Sequence, residues 1–192
     1  MNKMRLGFAL LAAPLAAFTS AAMLSPVYAA VDDAVPTVGG APMYPTKNIV
    51  ENAVNSRDHT TLVAAVQAAG LVATLQGPGP FTVFAPVNTA FERLPAGTVP
   101  SLLRPENRGT LTSVLTYHVV PGRLSAANLM AQVRAGGGRA MLTTVQGGML
   151  TVTQSGNMLV VTDVHGGQSR VTQGDVNQSN GVIHVVDSVL MP

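Results

Sequence analysis

The sequence predicts an α+β domain with helices first and strands second, and three observations carry that expectation. Apolar residues recur at three- and four-residue spacing between Ile49 and His118, the period of half-buried helices. From Met141 onward the period changes to two, punctuated by Gln146-Gly147-Gly148, Ser155-Gly156-Asn157 and Asn180-Gly181, which is the pattern of a strand meander closed by tight turns. The chain has 192 residues, 47% of them hydrophobic, and no Cys. That is enough for one sizeable core and leaves no basis for disulfides or thiolate zinc sites.

Taken in order, residues 1–29 read as a secretory signal peptide of bacterial type. Lys3 and Arg5 precede the apolar run Leu6 to Phe18, and Val27-Tyr28-Ala29 has the small-x-Ala form of a cleavage site. The run is shorter than the about 20 residues that a membrane span needs, and Pro14 interrupts it. Lys3 and Arg5 account for the formal net charge of +2, so the mature chain is neutral. Without a basic cluster, and with 4% aromatic residues, it is not built to bind nucleic acid. Residues 30–46, broken by Pro36, Gly39, Gly40, Pro42 and Pro45, read as a flexible lead-in, which leaves 47–192 as the domain.

Ile49, Val50, Ala53 and Val54 share one side of a short helix that Asn48 can cap. Leu62, Val63, Val66 and Ala69 predict a second helix from about Thr60, stopped by Gly70. After the turn Gly77-Pro78-Gly79-Pro80, Phe81 to Ala85 is a buried strand that Pro86 ends, and Asn88 is the expected N-cap of a helix through Leu94. Pro105 suits the first turn of a longer helix whose Leu111, Val114, Leu115 and His118 share a face. A small helix near Ala126–Met130 precedes the strands Met141–Val145, Met149–Thr153, Met158–Val164 and Val182–Val186, while Gln173 to Ser179 reads as a polar surface loop.

Three of these segments carry a family resemblance. Phe81-Thr82-Val83-Phe84-Ala85-Pro86-Val87-Asn88-Thr89-Ala90-Phe91 resembles the first signature of the fasciclin domain, and Tyr117-His118-Val119-Val120-Pro121-Gly122 resembles its tyrosine–histidine motif. Asn180-Gly181-Val182-Ile183-His184-Val185-Val186-Asp187-Ser188-Val189-Leu190-Met191-Pro192 is similar to the family's closing signature, and all three occur in the family's order. Val87 departs from the pattern, standing where the family has Thr or Ser.

The resemblance implies helices packed along a twisted wedge of two β-sheets in a single fasciclin-like domain. It also implies a secreted, periplasmic or extracellular protein that binds a cell-surface or matrix protein or polysaccharide and is not an enzyme. Carried over residue by residue, the adhesive positions of animal relatives fall on Asp175, Val176, Tyr117 and His118. A few family members bind carotenoids, which makes a carrier of a small apolar ligand the alternative.

The residues themselves weigh differently. His118 lies on the apolar side of its helix, which is the setting of a core histidine held by a backbone hydrogen bond, and Tyr117 is more a packing residue than a contact. His184 and Asp187, three apart in a strand, point to opposite faces and cannot form a dyad. Asp163 and His165 share a face, but two ligands do not make a metal site. No nucleophile elbow, zinc-protease helix or phosphate-binding loop is present, so neither a catalytic residue, a metal nor a cofactor is expected, and the chain is read as a monomer. Asn177-Gln178-Ser179 is a formal glycosylation acceptor.

Overall fold

The structure is a computed structural model that describes residues 35–192; the expected signal peptide at 1–29 lies outside the described residues. The helical half comprises α1 (Ile49–Ala53), α2 (Thr60–Ala69), α3 (Val72–Gln76), α4 (Asn88–Glu92), α5 (Thr98–Leu102), α6 (Arg108–Tyr117) and α7 (Ala126–Ala135). A small hairpin, β1 (Thr37–Val38) and β2 (Ala41–Pro42), precedes them. The remaining strands are β3 (Phe81–Pro86), β4 (Val119–Pro121), β5 (Arg139–Thr143), β6 (Met149–Ser155), β7 (Met158–Thr162), β8 (Gln168–Gln178) and β9 (Gly181–Val186), hydrogen-bonded in the order β4-β3-β9-β8-β7-β6-β5.

Strand β8 turns this ribbon into a wedge. Its first residues pair with β7 and its last with β9, and register shifts between Val171 and Gln173 and between Gln173 and Val176 bend the strand in the middle. The half formed by β4, β3 and β9 is buried on both faces. One face carries Val83, Ala85, Ile183 and Val185 against α1, α2 and α6, and the other carries Phe84 and Val186 into the wedge. Burial on two sides explains why β3 and β9, which run parallel, read as continuous apolar runs rather than alternations. The other half alternates, because Ala140, Leu142, Leu150 and Val152 face the wedge core and α7 while their neighbours face solvent.

The helices follow their expected signals with informative exceptions. Asn48 caps α1 in a reciprocal capping box with Glu51, both bonds at 2.9 Å, and Gly70 ends α2 at φ 73°. Asn88, expected to cap its own helix, instead accepts from the Thr61 N–H at 3.0 Å and so caps α2, while Val87 stands at the start of α4 without a side-chain cap. His118 is not inside its helix but is the residue that ends α6. The stretch read as a flexible lead-in is a correction: Val38, Ala41 and Met43 are buried in the helix-side core, where the turn at Gly39-Gly40 folds them back. Pro and Gly there build a hairpin instead of preventing structure.

Candidate functional site

Two junctions hold the residues to which the sequence pointed. At the first, α6 runs into β4 at Tyr117-His118. The Tyr117 hydroxyl donates to the Met149 carbonyl at 2.7 Å and accepts from the Val164 N–H at 3.3 Å, which anchors α6 to the ends of β6 and β7. Burial pushes its phenol above the ordinary value. His118 bonds the Val114 carbonyl through Nδ1 at 2.6 Å, so Nδ1 carries the proton, and Nε2 accepts from the Leu190 N–H at 3.0 Å. The imidazole is neutral, and burial holds its pKa down to about 4, against the opposing pull of the Val114 carbonyl and Asp163.

Around this junction Asp163 is fully engaged. One carboxylate oxygen accepts from the N–H groups of His165 and Gly167 and the other from that of Met191. His165 turns its Nε2 to the Pro192 carbonyl at 3.1 Å. The pair therefore builds a turn and fixes the closing segment. Among the described residues, no group of three or more His, Asp or Glu side chains is arranged to hold a metal ion.

The second junction is the bend in β8. Asp175 adopts φ 57°, a left-handed conformation that Asp tolerates better than most side chains. Its Oδ1 accepts from the Ala126 N–H at 2.7 Å, so it joins Ser125, which accepts from the Asn128 N–H, in capping α7. Behind it, His184 donates from Nε2 to the Leu124 carbonyl at 2.7 Å and lies stacked on Phe84, with ring centroids 5.7 Å apart. Burial lowers its pKa, against the Leu124 carbonyl and Asp175. Asp187 serves a different purpose: it accepts from the Arg170 N–H and pairs with Arg93 at 3.7 Å.

Two corrections follow for the expected contact residues. The segment Gln173 to Ser179 is not a loop but mostly strand, and Val176, Tyr117 and His118 are buried at 0%, 0% and 2% exposure. Of the four expected contact residues, Asp175 alone is exposed. Asn177 is also exposed, beside Gln178, which is buried and bonded to Asn52. The expectation of an apolar carrier meets a cavity of about 50 Å³ between the helices and β3/β9, lined by Met43, Ile49, Val66 and Ile183 among others. Small-molecule sites run to roughly 300–1,000 Å³, so a carotenoid does not fit it as it stands.

One further feature is the outward side of β5–β8, where Arg139, Met141, Met149 and Arg170 are exposed. Its signal was present in the alternation of the strands, with long side chains at the solvent positions.

Comparison with known proteins matches residues 57–192 to the family model described as the fasciclin domain. The chain is 47% identical over 145 residues to Protein sll1483 of Synechocystis, covering 75% of this chain and 73% of that one. It is 41% identical to Immunogenic protein MPT70 of Mycobacterium tuberculosis, covering 73% and 66%, and 32% identical to Cell surface glycolipoprotein MPB83 of Mycobacterium bovis, covering 93% and 80%. Among solved structures, a pair of FAS1 domains from the insect cell adhesion molecule fasciclin I superposes with a TM-score of 0.68 at 16% identity, covering 76% of this chain and 51% of that chain. At that identity the likeness is one of fold.

Proposed function

The chain belongs to the fasciclin domain family, and from that premise we propose that it is an exported, non-catalytic binding module for a component of a cell surface or extracellular matrix. The observation that carries the reading is the family match over residues 57–192; one relative is named as a cell surface glycolipoprotein, and a solved structure of the same fold comes from a protein named as a cell adhesion molecule. The export signal read in residues 1–29 supports the compartment. Among the described residues, no helix is long and apolar enough to cross a membrane.

The mechanism in this reading is recognition by surface groups on a packed scaffold. Of the four inherited positions, Asp175 is the contact, and Tyr117, His118 and Val176 form the frame that holds the β8 bend and the α6 end in place. A single domain of this kind binds weakly, and display of many copies multiplies the strength. Co-sedimentation of the purified protein with envelopes and surface polysaccharide of its own source, at two salt concentrations, tests the reading. Saturable sedimentation is expected, and sedimentation no greater than that of an unrelated protein of similar size overturns it.

A further inference from the structure

Strands β5 to β8 have one face outside the wedge, and it carries two exposed arginines and three exposed methionines. The register aligns Arg139, Thr153, Val160 and Arg170 in one row across the four strands, with the two arginines exposed, Thr153 half-buried and Val160 buried between them. The adjacent row is Met141, Thr151, Thr162 and Gln168. Arg139 and Arg170 are both exposed at opposite ends of their row, separated by three inter-strand steps, or about 14 Å. Neither row contains an acidic or an aromatic side chain. The nearby carboxylates are already satisfied: Asp187 accepts from the Arg170 N–H and pairs with Arg93, and Asp163 is held by three backbone N–H groups.

We propose that this face docks an acidic polysaccharide, a chain carrying carboxylate or sulfate groups along an extended backbone; the proposal rests on the binding-module reading above and names its partner class. Charge complementarity selects the occupant. Two guanidinium groups at the ends of one row, with no acid between them, fit anionic groups spaced along a polymer, and each can grip a carboxylate through two parallel bonds. The hydroxyls of Thr151, Thr153 and Thr162 between them suit the sugar hydroxyls. A second copy of the same face would set guanidinium against guanidinium, which costs rather than stabilises. A neutral glycan would want aromatic rings to lie on, and the rows hold none. Met141 within the second row, and Met149 and Met158 on either side of the two rows, at 60%, 42% and 47% exposure, add apolar surface that can follow the C–H edges of a sugar chain.

The test is affinity electrophoresis of the purified protein in gels containing polygalacturonate, dextran sulfate or neutral dextran, at about 50 mM and about 300 mM salt. Retardation by one or both anionic polymers, absent with dextran and weakened by salt, is expected. The double variant Arg139→Ser/Arg170→Ser, confirmed as folded by its circular dichroism melt, is expected to lose at least about tenfold in affinity at low salt. The charge-matched control Arg57→Ser/Arg104→Ser is expected to bind as wild type. Equal losses in both double variants, or none in the first, overturn the assignment of this face. If neither anionic polymer retards the protein while its own envelopes still sediment it, and protease treatment of those envelopes abolishes that, the partner is a protein. The polysaccharide is then overturned and the binding-module reading stands. If the envelopes do not sediment it either, that reading falls as well.

Discussion

Asp175 combines an unusual backbone with an ordinary task. Held at φ 57° and bonded to the Ala126 N–H, it fixes the β8 bend to the start of α7, so removing it disturbs structure before it disturbs any contact. Asp175→Ala loses the cap and leaves a β-carbon in the left-handed region, which together cost about 1–2 kcal/mol. Asp175→Asn keeps an acceptor oxygen and a residue type that tolerates this conformation, so it is expected to unfold within about 0.5 kcal/mol of wild type while losing the charge. Urea denaturation of the two variants checks that order. Used together, they separate the roles: a carboxylate contact weakens in both variants, whereas a purely architectural aspartate leaves the Asn variant binding normally. Asn88 teaches a related lesson. Its side chain caps α2, 27 positions earlier in the chain, so the cap chemistry was legible and its recipient was not.

At the scale of elements, the hairpin of β1 and β2 was hidden because its proline and glycine content matches that of a linker, and only tertiary packing shows that Met43 is 2% exposed in the core. Met43→Ala is accordingly expected to lower stability by about 2–4 kcal/mol, measurable in the same denaturation assay; a change under about 0.5 kcal/mol would contradict the packing. Strand β8 was missed for a different reason. Its bend shifts the register twice between Val171 and Val176, so its alternation is broken where the polar residues Gln173 and Asp175 stand, and a broken alternation reads as a loop. By contrast β3 and β9 were plain, since strands buried on both faces must be apolar throughout. They also meet at close quarters: a β-carbon on Gly181 would sit on the Phe81 carbonyl oxygen. Gly181→Ala therefore forces β3 and β9 apart. It is expected to lower the thermal midpoint by more than about 10 °C or prevent folding altogether, as read by circular dichroism.

Three histidines tie the whole molecule to pH. His59 stands at the start of α2 against the Ser56 hydroxyl, His118 at the end of α6 and His184 within β9, and all three imidazoles are buried. Burial lowers the pKa of all three, and for His118 the value is about 4; the charged neighbours Asp58, Asp163 and Asp175 pull the other way without overcoming it. In the unfolded chain these groups take up protons near the ordinary histidine value of 6.5. Between that value and the folded pKa the unfolded state binds more protons, so stability is fully present above about pH 7 and is lost as pH falls. For His118 alone the loss reaches about 3 kcal/mol once the pH is below 4. Protonation would also turn its Nε2 from an acceptor into a donor facing the Leu190 N–H, so the closing segment is the part expected to loosen first. Urea midpoints recorded from pH 7.5 to 4.5 should decline steadily, with hydrogen exchange rising earliest at Leu190 and Met191. The variant His118→Gln, less stable at neutral pH, should show a shallower decline, because one of the three groups that take up protons on unfolding has been removed. Midpoints that stay level across that range would mean that the imidazoles are not held neutral by the fold.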